Sequence, residues 1–223
     1  MKKAVFYKEW IKTRYFIYLS FLLSWCFTGY SLMKISRVIR LRGEDHLWQV
    51  MLERDAIFID LLTFMPLAVG ILLAAVQFIP EMQQSRFKLT LHLPYPQFRM
   101  AGIMLSYGVL VLTAVFISNQ TLAYLFLDRW LPAELLSRLF FTALPWQLAG
   151  ISGYLLTAWI CLEPAWKRRL LDLSVSAGVI RLFFLSPVPE AYNRFLPVMI
   201  LYIPFISLLP MLSVSRFKAG VQD

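Results

Sequence analysis

The sequence predicts an all-α polytopic membrane protein: about six transmembrane helices, an N-terminal interfacial helix and a short cytoplasmic helix between spans two and three. Three observations predict it. Of the 223 residues, 59% are hydrophobic and only 16% charged, whereas a soluble globular chain is about 45–50% apolar and about 25% charged. The apolar residues fall into long blocks separated by short charged or proline-rich stretches. Lysine and arginine then favour alternate connections, as a chain threaded through a bilayer requires. At roughly 20 residues per helical span, six spans use a little over half the chain. One transmembrane domain therefore covers residues 1–223, with no room for a separate soluble domain.

Residues 1–14 hold too many charges to cross lipid. At 100° per residue, Ala4, Phe6, Tyr7, Trp10 and Ile11 share one arc, and Lys2, Lys8, Glu9 and Lys12 lie opposite. That is the pattern of an amphipathic helix lying in the membrane interface; Lys3 and Arg14 intrude on the apolar side, where long stems snorkel. No small-residue cleavage site closes the apolar block that follows, so a cleavable signal peptide is not expected.

The spans are read at about 15–33, 56–78, 100–127, 139–162, 170–185 and 195–214. The fourth is interrupted by Pro145 and by the small residues Ala149, Gly150, Ser152 and Gly153, and the fifth is weakened by Asp172 and Arg181. With the N-terminus inside, the inner segments carry 13 lysines and arginines and the outer ones 8. Both termini are thus expected in the cytoplasm, although the basic first outer loop runs against the rule.

The formal charge of +9 does not point to nucleic acid, because the basic residues are scattered between apolar blocks and form no single patch. Cys26 and Cys161 fall within apolar blocks and read as small buried hydrophobes. Gly150-Ile151-Ser152-Gly153 resembles the serine motif of rhomboid intramembrane proteases, but that chemistry needs a histidine base on another span. His46 and His92 both lie in polar connecting segments. Gly150, Ser152 and Gly153 are therefore read as close helix packing. No metal-ligand spacing and no phosphate-binding loop occurs, so no catalytic, cofactor or metal residue is expected in this chain. Asp60 and Arg181 are intramembrane charges in the outer halves of their spans. They read either as a polar pair lining a path or, the favoured reading, as side chains snorkelling to the outer headgroups.

Between spans two and three, Pro80 suits the first position of a helix and Glu81 puts negative charge at its start. The segment continues to His92, and Pro94 and Pro96 stop it. The expected element is a helix over 81–93 bearing Arg86, Phe87, Leu89, Leu91 and Leu93. Its apolar residues need a cover, either the bilayer surface or a protein partner, and the residues alone leave both open.

This layout resembles the permease subunits of type-2 ABC exporters. The stretches that carry the likeness are MKKAVFYKEW, PEMQQSRFKLTLHLPYPQF and SPVPEAYNRF, with Phe78, Pro80 and Glu81 followed by Leu93-Pro94. The resemblance implies an exporter permease of a bacterial inner membrane, with a partly re-entrant hairpin between spans five and six and no catalysis of its own. Glu81, Arg86, Phe87, Leu89, Leu91 and Leu93 would contact an ATPase subunit supplied in trans, which would bring ATP and magnesium. A second permease copy or paralogue would complete the pathway, with lipid around it. The alternative is a multispan assembly or anchoring protein whose cytoplasmic helix rests on the membrane. Nothing in the sequence specifies a substrate.

Overall fold

The computed structural model describes residues 2–43, 48, 49, 51, 62–83, 96–186 and 188–218. Among them stand α1 (Lys2–Arg42), α2 (Met65–Gln83), α3 (Gln97–Leu127), α4 (Ala133–Leu162), α5 (Trp166–Leu182) and α6 (Leu196–Lys218), and no strand. All but α5 are long and apolar enough to cross a membrane. This is the architecture of an integral membrane protein. With 17 residues, α5 extends about 25 Å, short of the roughly 30 Å hydrocarbon core.

The expected interfacial helix at 1–14 is not a separate element. No glycine or proline breaks the chain between Lys2 and Thr28, and α1 runs unbroken for 41 residues, about 60 Å. Its buried positions step by three or four: Glu9, Thr13, Ile17, Ser20, Ser24, Thr28, Ser31, Ile35 and Ile39. Tyr15, Tyr18, Leu22, Trp25 and Tyr30 point outward. A soluble amphipathic helix hides its apolar stripe; α1 hides its small hydroxyl residues. That inversion suits a lipid solvent, where small side chains bring helices close and large apolar ones meet hydrocarbon. Cys26 lies on the outward side, so it is not the buried hydrophobe expected from sequence.

α4 is the central helix, packed against α2, α3, α5 and α6. Two-thirds of its most apolar window, 67%, is buried, against 33% for α1. The crossing with α2 is backbone against backbone. A Cβ on Gly70 would overlap the Gly150 carbonyl, one on Gly150 would lie 2.6 Å from the Pro66 carbonyl oxygen, and Gly153 faces Leu67.

Prolines sit inside several of these helices. α4 continues through Pro145 and α6 through Pro204 and Pro210; neighbouring helices can re-satisfy the backbone groups that proline frees. The same holds at Pro80. α2 begins at Met65 rather than near 56, leaving Leu62, Thr63 and Phe64 outside it, and passes through Pro80 to Gln83. The helix expected to start at Pro80 therefore does not start there: Glu81 belongs to the last turn of α2. The remainder of that element, 84–93, lies outside the described residues.

α5 and α6 each pack on α4. Phe183 and Met199 pack on Ala149, and the Glu190 amide donates to Thr142 Oγ1 at 3.3 Å. The contacts between elements define two ends of the bundle. The base gathers the start of α1, the end of α2, the start of α3 and the ends of α4 and α6 around Phe78, Met100, Leu162 and Val214. The distal end gathers Leu32, Ile35, Leu127, Leu135 and Trp146.

Candidate functional site

At the base, α1 and α2 are joined by four charges. Lys8 and Lys12 stand one helical turn apart on one face of α1, and each Nζ lies 2.9 Å from Glu81 Oε1. Lys12 Nζ also lies 2.8 Å from Glu9 Oε2, and Lys8 Nζ lies 3.9 Å from Glu9 Oε1. Glu9 is 0% and Glu81 1% exposed. Carboxylates withdrawn this far from water persist only when paired, and two lysines balance two glutamates. The sequence pattern places Lys8, Glu9 and Lys12 on the watery side of an interfacial helix; the continuous α1 instead turns this face inward, and Glu81, expected to face an ATPase, has its Oε1 paired with both lysines of α1.

Deeper in the bundle the charges give way to neutral polar groups. Thr13 Oγ1 donates to the Glu9 carbonyl at 2.8 Å, which leaves the Tyr107 hydroxyl as donor in its 2.8 Å bond with Thr13 Oγ1. Phe6 meets the Tyr107 ring edge-on at 5.5 Å. One turn before Glu81, Gln77 Nε2 donates to the Met104 carbonyl at 3.0 Å and Gln77 Oε1 accepts from the Tyr154 hydroxyl at 2.8 Å. The Tyr154 ring can sit there because Gly108 has no side chain; a Cβ would overlap it. A ladder of charge, hydroxyl and amide thus ties α1, α2, α3 and α4 together.

This ladder carries a prediction. Tyr154→Phe leaves Gln77 Oε1 buried without its donor and is expected to cost about 1–3 kcal/mol. Tyr107→Phe should cost less, since Thr13 keeps its bond to the Glu9 carbonyl. Thermal unfolding of the purified variants in detergent reads the difference.

A second polar cluster closes the other side of the base. Glu163, just past the end of α4, is fully buried. Its Oε2 accepts from Ser213 at 2.5 Å and from Arg216 at 3.4 Å, and its backbone carbonyl accepts from Arg169 Nη2 at 2.7 Å. Asp172, read as a weakness of the fifth span, is buried on the inner face of α5.

The other sequence candidates separate. Gly150 and Gly153 lie at the α2–α4 crossing. Ser152 is fully buried and its Oγ has no hydrogen-bond partner among the described residues. Arg181 stands exposed in the last turn of α5, and Asp60 lies outside the described residues, as do Arg86, Phe87, Leu89, Leu91, Leu93, His46 and His92. Among the described residues no group of three or more histidines, cysteines or acids is placed to hold a metal ion. No family model, no curated protein and no solved structure matches the chain.

Proposed function

We propose that this chain is the membrane-spanning permease subunit of an ABC exporter, forming half of a translocation pathway and coupled to an ATPase supplied in trans. The reading rests on the resemblance in layout and on one observation. The last turn of α2 is fixed to α1 through Glu81, Lys8 and Lys12, and through Gln77 and Tyr154 to α4. Force applied to the segment following Gln83 would therefore move three helices as a unit instead of bending a loop. In this reading Arg86, Phe87, Leu89, Leu91 and Leu93 meet the ATPase, which brings ATP and magnesium, while Glu81 acts inward as the anchor. In this reading α6 supplies a fifth full-length span beside α1 to α4, and the shorter α5 packs on α4. The base faces the cytoplasm of a bacterial cell, since it carries Lys8, Lys12, Arg169 and Arg216 and basic residues favour that side. A second copy or a paralogue completes the pathway.

The test is reconstitution with a candidate ATPase. Phe87→Asp and Leu91→Asp are each expected to abolish stimulation of ATP hydrolysis and to weaken assembly. Unchanged assembly and hydrolysis in both variants would reject the coupling role. A chain stable alone, with no ATPase co-purifying, would favour an assembly or anchoring protein.

A further inference from the structure

The distal end of α1 carries cations without a protein partner among the described residues. Lys34, Arg37 and Arg40 are exposed, and none of them makes an ion pair or a hydrogen bond there. No residue from 10 to 43 is acidic. The opposite side of the same turns is fixed, since Leu32, Ile35 and Ile39 are buried in the distal cluster with Leu131 and Leu135. Packing thus holds the arginines facing away from the protein.

Their depth follows from the helix itself. Arg14 and Lys34 are both exposed, and no charged residue lies between them. The stretch from one to the other rises about 30 Å, the thickness of a hydrocarbon core. Arg37 and Arg40 stand about 5 and 9 Å beyond Lys34, where headgroups lie. Met33, Ser36, Arg37, Arg40 and Leu41 share one face and line an open hollow of about 450 Å³. Two guanidiniums beside two apolar side chains suit an anionic amphiphile.

We propose that this face of α1 binds the headgroup of an anionic phospholipid, with Arg37 and Arg40 on its phosphate and its acyl chains running past Met33 and Gly29 towards Leu22. Guanidinium forks match a phosphate bidentately. At 100° per residue Leu22, Gly29, Met33, Arg37 and Arg40 fall on one stripe. Nothing lies within 4 Å of where a Cβ on Gly29 would stand, so an acyl chain can lie flat there. A zwitterionic lipid would bring an ammonium as well, and this face has no carboxylate to receive it. A free phosphate would leave Met33 and Leu41, 64% and 75% exposed, uncovered. None of this depends on the ATPase. With the base inside, it also accounts for the basic first outer loop, because bound anionic headgroups offset charge that the orientation rule disfavours there.

The experiment titrates the purified full chain in detergent with dioleoyl phosphatidylglycerol or dioleoyl phosphatidylcholine, which share their acyl chains, and reads bound lipid by native mass spectrometry. Phosphatidylglycerol should bind about five- to thirtyfold more tightly, since each cation at a lipid surface adds roughly fivefold. Arg37→Gln with Arg40→Gln should remove that preference. Lys167→Gln with Arg168→Gln, an equal loss of exposed charge on α5, should leave it. In the unmodified chain, a phosphatidylglycerol with a diazirine next to its glycerol should label α1 between Gly29 and Leu41, and excess inorganic phosphate should not displace it. Equal affinity for the two lipids, equal loss in the two double variants, or label on other helices but not on α1 would overturn the proposal. Displacement by inorganic phosphate would overturn it too, leaving a free anion as the ligand.

Discussion

Gly70→Ala should yield little folded protein, and Gly150→Val none that survives gel filtration in detergent. The reason is geometric. A Cβ on Gly70 points into the Gly150 carbonyl, and one on Gly150 comes 2.6 Å from the Pro66 oxygen. The nearest atoms in the way are backbone, which cannot swing aside as a side-chain tip can. Overpacking a core with a movable neighbour costs about 1–3 kcal/mol; here α2 and α4 must separate along their whole crossing, so a larger loss is expected. The control is Gly178→Ala on α5, where nothing lies within 4 Å of the added carbon. Alanine is the better helix former by about 1 kcal/mol, so that variant should equal or exceed the parent in thermal stability. If Gly70→Ala and Gly178→Ala melt alike, the helices do not meet at this crossing.

The same crossing marks what the sequence makes legible. The small residues Gly150 and Gly153 announce close packing, because in lipid only small side chains let backbones touch. They do not announce the partner: Gly70 and Pro66, which receive them, lie in an apolar stretch with no comparable cluster. Long apolar blocks likewise locate five membrane-length helices, since length and hydropathy are properties of the segment itself. Helix ends are less legible. Pro80 reads as a boundary and Pro145 as an interruption by local rule, yet tertiary packing carries α2 and α4 through both.

The buried face of α1 is the least legible feature. Over residues 2–14 a charged arc reads as water-facing, and an isolated helix would turn it so. Here Glu9 and Thr13 continue a stripe that runs on through Ser20, Ser24, Thr28 and Ser31, so the charged arc goes inward with the hydroxyls. The clue was present in the spacing: serines and threonines recur every three or four residues on the side opposite Tyr18, Leu22 and Trp25. Within residues 1–14 alone only Thr13 belongs to this series.

Lys12→Met is expected to be the most damaging single change at the base. It removes a side chain that bridges both buried carboxylates, leaving Lys8 as their cationic partner among the described residues. Stranding a buried charge costs about 3–5 kcal/mol, and the two glutamates then also repel. Glu81→Gln should cost less: it leaves a net positive charge, but Lys8 is already 39% exposed and can turn towards water. The decisive variant is the double one. Lys12→Met with Glu81→Gln leaves Lys8 opposite Glu9, one charge of each sign, so the double variant should melt above Lys12→Met alone. Independent surface charges would instead add their effects, placing the double variant lowest. High salt separates the cases a second way, since buried pairs are screened far less than exposed ones: the ranking of the three variants should persist at 0.5 M salt in the assay. A network that ranks this way joins α1 to α2 through charge that neither helix could bury alone.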